Sequence, residues 1–147
     1  MNDWLVADAL TPQTQGVLAP LYQAASRGEL ALPICAACAT TFELDQGRCD
    51  VCGAGDIAWP LVDPVGAVHS VTTVHRREPG LIVATQPYHV IDVELTSGHR
   101  LLMTTVTPAA HPPTIGDVAY IEFRSVGGVA VPAFSSSPPN PDPEVVT

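Results

Sequence analysis

Alternation of apolar and polar positions is clearest at residues 88–95, Y-H-V-I-D-V-E-L. There His89, Ile91, Val93 and Leu95 fall on one side and Asp92 and Glu94 on the other. A period of two marks a half-buried strand. Residues 68–75, V-H-S-V-T-T-V-H, are β-branched and roughly alternating. Ser97-Gly98 signals a tight hairpin into a return strand over 100–106. Residues 118–124 place Ala119, Ile121 and Phe123 on one side, and Gly127-Gly128 turns the chain into 129–134. These are five short strands with one clear hairpin and a Pro- and Ala-rich connection, 107–117, between the third and the fourth. They predict a small closed barrel, for which the OB-fold is the most economical topology.

Ahead of the barrel the pattern changes. Trp4 and Leu5 are candidate anchors of a short arm. Thr11-Pro12 reads as a helix start and Pro20 as an interruption, which predicts two short helical pieces over 12–18 and 20–27. Leu18, Leu21, Tyr22 and Ala25 share one face at helical spacing, and Arg27-Gly28 is a stop signal. That face has two readings: it packs on its own domain, or it docks on a partner. The expected organisation is a helical arm (1–29), a metal ribbon (30–58), a barrel (59–134) and a flexible tail (135–147). The tail carries four prolines and three serines in thirteen residues, too little apolar surface to order itself.

The strongest chemical signal lies between arm and barrel. All four cysteines form two C-x2-C pairs, Cys35/Cys38 and Cys49/Cys52, separated by ten residues. Each pair turns two sulfurs back on one ion, and two pairs supply the four thiolates of a tetrahedral zinc site. Gly53 suits the turn that closes such a knuckle. Two disulfides or a redox C-x-x-C are the competing readings. A closed site of four thiolates leaves no open coordination position and no cysteine nucleophile, so the expected Zn2+ is structural. A module of about 30 residues buries too little to fold alone and depends on its metal.

Charge narrows the partners. The 147 residues carry a net charge of -9, with six arginines and no lysine. No basic stripe is available for phosphates, which argues against nucleic acid and against anionic membranes. No apolar run approaches a membrane span, and no basic n-region with an apolar run opens the chain, so the expectation is a cytoplasmic protein in which thiols stay reduced. His69 and His75, six apart in one expected strand, would share a face about 20 Å apart and cannot chelate one ion. His89 reads as a hydrogen-bonded core histidine, His99 as a turn residue, and His111 falls in the Pro- and Ala-rich connection. No catalytic residue is assigned. The one concentration of positive charge, Arg76-Arg77, could hold phosphates bidentately, although a solvated turn is the favoured reading.

With these parts in place the chain resembles the zinc-ribbon plus OB-fold proteins once filed as "domain of unknown function thirty-five". These are acyl-CoA-associated proteins and small partners of thiolase-like or lipid-transfer-protein-like enzymes. The resemblance runs from about Leu18 to Phe134. It rests on R-G-E-L-A-L-P-I-C, the two knuckles, G-A-V-H-S-V-T-T-V-H-R, P-Y-H-V-I-D-V-E-L-T-S-G, I-G-D-V-A-Y-I-E-F and V-P-A-F. Ala39 departs from it, because the first knuckle usually has glycine there.

The resemblance implies a mainly β chain with a rubredoxin-like zinc ribbon and a five-stranded OB-fold barrel. It also implies a non-catalytic subunit in a hetero-oligomer with a thiolase-fold partner. That partner would break or form a carbon–carbon bond of an acyl-CoA, as in retro-aldol cleavage of a steroid side chain. Leu18, Leu21 and Tyr22 would then be a docking face, and Arg76 and Arg77 a contact for the partner or for CoA phosphates. A free-standing acyl-CoA carrier is the alternative; an OB-fold nucleic-acid binder is disfavoured by charge.

Overall fold

The computed structural model describes residues 3–139. The described residues are mainly β, with one short helix and seven strands. After a 3-10 turn at Asp8–Leu10 come α1 (Ala19–Ala25), β1 (Ile34–Cys35) and β2 (Ile57–Ala58). The barrel strands follow: β3 (Val65–Val74), β4 (Tyr88–Leu95), β5 (Arg100–Met103), β6 (Val118–Val126) and β7 (Val129–Ser135).

The five barrel strands lie in the order β5-β4-β3-β6-β7. The outer two meet again through a parallel bridge between Thr105 and Phe134. There the Phe134 amide donates to the Thr104 carbonyl at 2.8 Å and the Val106 amide to the Phe134 carbonyl at 2.9 Å. The sheet is thereby nearly closed in OB-fold connectivity, which leaves little free edge. The alternation at 88–95 does what it predicts: His89, Ile91, Val93 and Leu95 are all buried. Ile91, Val93 and Leu95 pack with Val68, Leu101, Met103, Ala119, Ile121 and Phe134 in one core.

Closure requires β3 to bend. Its first residues pair with both neighbours, Gly66 opposite Leu95 on β4 and opposite Ala119 on β6. A bulge at His69 separates Val68, opposite Val93, from Ser70, opposite Asp92. A bulge adds one residue and shifts the alternation. The expectation that His69 and His75 share a face is therefore corrected: His69 approaches Glu94 at 3.7 Å, while His75 lies beyond the end of β3.

The arm also differs from expectation. Residues 12–18 form no helix, and Pro20 lies in the first turn of α1 instead of interrupting a longer helix. Proline has no amide hydrogen to lose there, so it starts helices as readily as it breaks them. The apolar face of α1 turns inward. Leu21 is 4% exposed and joins the barrel core with Leu30 and Leu32, while Tyr22 packs against them. In this chain the helix before the ribbon covers the barrel, and the connection between β5 and β6 carries no helix.

Before α1, the Asp3 carboxylate accepts the Leu5 and Val6 amides at 3.1 and 2.9 Å and pairs with Arg124 on β6. Val6 bridges Ile82 in antiparallel fashion, which ties the arm to the loop between β3 and β4. At the other end Ser135 closes β7. Residues 140–147, most of the expected tail, lie outside the described residues.

One surface pair gives a pH prediction. Arg100 hydrogen-bonds Asp92 diagonally across β4 and β5, with Nε donating to Oδ1 at 3.0 Å, and holds that carboxyl below the ordinary carboxylate range. A depressed value stabilises the fold above the unfolded value, about 4, and the contribution is lost as pH falls through the folded value. Asp92→Asn therefore lowers the urea midpoint at neutral pH, and the gap to the parent closes in acid. An equal gap at both pH values would place the effect elsewhere.

Candidate functional site

Two short turns carry the cysteines, and they are built alike. In the first, the Ala39 amide donates to the Cys35 carbonyl at 2.8 Å and the Cys35 amide to the Thr40 carbonyl at 2.8 Å. In the second, the Gly53 amide donates to the Cys49 carbonyl at 3.0 Å and the Cys49 amide to the Ala54 carbonyl at 2.9 Å. β1 and β2 pair antiparallel beside the first knuckle, Cys35 opposite Ile57. Phe42 is buried against Cys35 and Cys49 and forms a small core with them.

The four sulfurs lie within 4.8 Å of one another. Cys35 Sγ is 3.6 Å from Cys52 Sγ, and Cys38 Sγ is 3.5 Å from Cys49 Sγ. A tetrahedron with metal–sulfur bonds of about 2.3 Å has edges of about 3.8 Å, close to both contacts. A disulfide needs about 2.05 Å, and all four cysteines are free thiols. The structure therefore brings together the four predicted ligands in a cluster that could hold a metal ion.

The proton affinities within the cluster are pulled apart. The Thr40 hydroxyl, 3.1 Å from Cys38 Sγ, and the Thr40 amide pull the Cys38 thiol down to about 6. Cys49 is also lowered, chiefly by the Cys52 amide. Cys52 moves the other way, up to about 12. The Ala54 amide lowers it, but the sulfurs of Cys35, Cys38 and Cys49, together with burial, outweigh that amide. Four thiolates this close repel one another, so one sulfur ionises easily only while its neighbours keep their protons. A bound cation removes that conflict and lets all four deprotonate.

The knuckles differ at the residue that follows the second cysteine. Gly53 has φ 76 and Ala39 has φ 64. Among the described residues Ala39 is the one non-glycine residue in the left-handed region, where a Cβ costs about 1–2 kcal/mol. Ala39→Gly should stabilise the metal-loaded protein by up to about 1 kcal/mol, after the entropy of the freer glycine is subtracted. Thermal denaturation of the loaded protein checks it; a destabilised variant would show that the turn is unstrained.

The other expected contacts are placed as follows. Arg76 and Arg77 lie in the exposed loop after β3, where Arg76 pairs with Glu78 and Arg77 donates to the Thr85 carbonyl at 3.2 Å. They border a small hollow of ≈ 200 Å³. This hollow shares His75 and residues 84–87 with a larger one of ≈ 880 Å³, walled by Trp4, Thr73, His89 and the loop 108–112. Leu18, Leu21 and Tyr22 line a groove of ≈ 340 Å³ between the arm, α1 and the barrel. Leu21 forms the groove's floor as part of the core, so this face packs on its own barrel and leaves Leu18 and Tyr22 at the rim.

All six arginines have partners within the chain: Glu29, the Gly53 carbonyl, Glu78, the Thr85 carbonyl, Asp92 and Asp3. The basic stripe that nucleic acid requires is absent among the described residues. No helix among them is long and apolar enough to cross a membrane.

The geometry of ribbon, arm and barrel has a counterpart among solved structures. A chain of the structure described as "Ltp2-ChsH2(DUF35) aldolase" matches with a TM-score of 0.70 and 28% sequence identity, over 84% of this chain and 96% of that chain. This chain is similar to a DUF35 aldolase subunit. No family model and no curated protein matches it.

Within that DUF35-like framework, His99, expected as a turn residue, and Trp4, expected as an anchor of the arm, hold the parts together. His99 is buried, and its Nε2 lies 2.8 Å from the Pro33 carbonyl. A carbonyl only accepts, so Nε2 donates, and Nδ1 accepts from the Ser97 hydroxyl at 2.8 Å. The imidazole links the barrel hairpin to the lead into the ribbon. Trp4 donates from Nε1 to the Thr105 carbonyl at 3.1 Å and walls the large hollow. His89 is likewise committed, Nε2 donating to the Ala109 carbonyl at 3.1 Å and Nδ1 accepting from Thr73 at 3.0 Å.

Proposed function

We propose that this chain is a non-catalytic subunit of an aldolase complex, in which a thiolase-fold, lipid-transfer-protein-like partner cleaves a carbon–carbon bond of an acyl-CoA. The likeness to the DUF35 aldolase subunit, across nearly the whole of that chain, is the observation that carries this reading. The arrangement of this chain's own groups supports it. The four thiols are gathered in one cluster, and His89 and His99 use both ring nitrogens in structural bonds. Neither set leaves a nucleophile beside a base. In this reading the cluster holds Zn2+ as a structural ion that fixes the ribbon against the barrel. The acyl group resembles a steroid side chain, cleaved by retro-aldol chemistry.

The test is reconstitution. A lipid-transfer-protein-like candidate is assayed for retro-aldol cleavage of a hydroxyacyl-CoA with and without this chain. Activity should require both, and this chain alone should be inactive. A candidate equally active without it would contradict the assignment.

A second reading, a free-standing acyl-CoA carrier, draws on the ≈ 880 Å³ hollow beside Arg76 and Arg77. A volume of this size suits a bound organic ligand. Calorimetry of the isolated chain with a CoA thioester separates the readings. Binding abolished in the Arg76→Ala, Arg77→Ala variant favours the carrier, and no heat removes it.

A further inference from the structure

The sulfur contacts cross between the knuckles. Cys38 touches Cys49 at 3.5 Å, and Cys52 touches Cys35 at 3.6 Å. Each contact joins an exposed cysteine, Cys38 or Cys52, to a buried one, Cys49 or Cys35. Within each knuckle the cysteines belong to a turn closed by its own backbone bonds. The first knuckle also carries a strained residue, Ala39 at φ 64.

We propose that the cluster is a site of reversible oxidation by hydroperoxides. The exposed sulfurs react, the buried sulfurs resolve them, and two cross-knuckle disulfides, Cys38–Cys49 and Cys35–Cys52, replace the metal. The inference rests on the reading that the cluster holds a metal ion.

The chemistry balances for each pair. The Cys38 thiolate attacks one oxygen of the peroxide and the O–O bond breaks. The sulfur becomes a sulfenic acid, and the departing hydroxide takes a proton to form water. The Cys49 thiolate then attacks the Cys38 sulfur. The S–O bond breaks, the S–S bond forms, and the second hydroxide leaves and is protonated. Two sulfurs lose one electron each, and the peroxide gains two. The second pair uses a second peroxide in the same way, starting at Cys52.

Geometry favours this pairing. The contacting sulfurs need to close by only about 1.5 Å to reach a disulfide length. Burial of Cys35 and Cys49 shields the resolving sulfurs from peroxide, so the first product is captured before it oxidises further. Each disulfide removes two of the four ligands. Because both bonds join one knuckle to the other, the oxidised ribbon stays cross-linked without its metal, and a thiol reductant restores the ligand set. Strain at Ala39 is released when the first knuckle opens and speeds the first step.

The experiment uses the metal-loaded full chain treated with hydrogen peroxide. Metal content before treatment tests the metal reading by itself. Release is followed with a chromogenic chelator, and the products are digested with trypsin without reductant. Cleavage after Arg27, Arg48 and Arg76 puts Cys35 and Cys38 in one peptide, 28–48, and Cys49 and Cys52 in another, 49–76.

Cross-knuckle disulfides join these two peptides; disulfides within a knuckle leave them apart. The expected result is metal release in step with a joined 28–48/49–76 species, with fragmentation reporting Cys38–Cys49 and Cys35–Cys52. Reductant with added Zn2+ should reverse both. Ala39→Gly keeps all four ligands and should slow release by roughly three- to tenfold, as relief of the turn's strain requires. Separate peptides, sulfinic or sulfonic products without the joined species, or an Ala39→Gly rate equal to the parent's overturns the proposal.

Discussion

Replacing Cys49 by serine abolishes metal binding and disorders the ribbon while the barrel persists. Cys49 is buried with Cys35 against Phe42, and together with the half-buried Ala54 these residues make up the ribbon's small core. So small a core does not offset the chain entropy of about 25 ordered residues, whereas four metal–sulfur bonds do. The barrel core, from Leu21 to Phe134, contains no residue between Leu32 and Val68 among its buried members. It therefore survives loss of the ion. Metal analysis should fall from about one ion per chain to near zero. Amide exchange should speed up across 34–58 while β3–β7 stay protected. A Cys49→Ser protein that keeps both its metal and its slow ribbon amides would refute the closed four-thiolate site.

Gly66→Ala unfolds or severely destabilises the barrel. A Cβ at this position would stand 2.2 Å from the Glu94 carbonyl oxygen and 2.8 Å from Leu95 Cα. Both are backbone atoms of the paired strand and cannot rotate away. Position 66 is also where β3 pairs with β4 and β6 at once, so moving it disturbs both ladders. The expected cost is about 3 kcal/mol or more, a large share of the roughly 5–15 kcal/mol that holds an ordinary domain together. Gly47→Ala is the control: nothing lies within 4 Å of its added Cβ, and the change should stay within about 0.5 kcal/mol. Equal urea midpoints for the two variants would show that β3 has room to shift.

What the sequence disclosed follows from the range of the interactions. The knuckles are local: their spacing sets their turns, so all four cysteines and the turn at Gly53 are readable directly. Strand alternation is local too, which is why 88–95 agrees with β4 residue for residue and the barrel topology follows from strand count and connection length. The departures arise where distant residues decide. Pro20 has the same chemistry at the start of a helix as in the middle of one, and only the packing of Leu21 on the barrel selects the start. The bulge at His69 is imposed by closure, since β3 must serve two neighbours. Asp3 and Arg124 are 121 positions apart and His99 and the Pro33 carbonyl 66, and no spacing rule links them. An aspartate beside Trp4 and Leu5, and a histidine in a hairpin turn, were the faint signals of those contacts. Ala39 was visible as a departure from a resemblance; its φ shows the strain that departure costs.

Under the proposed function this chain works as a subunit of an aldolase complex. That claim is tested most directly by mixing the metal-loaded chain with a lipid-transfer-protein-like, thiolase-fold candidate at micromolar concentration. Size-exclusion chromatography with light scattering then reads the mass. The expected result is a single co-eluting species heavier than either protein alone, carrying about one metal ion per copy of this chain. Separate elution from every such candidate, with this chain unchanged in mass, would contradict it.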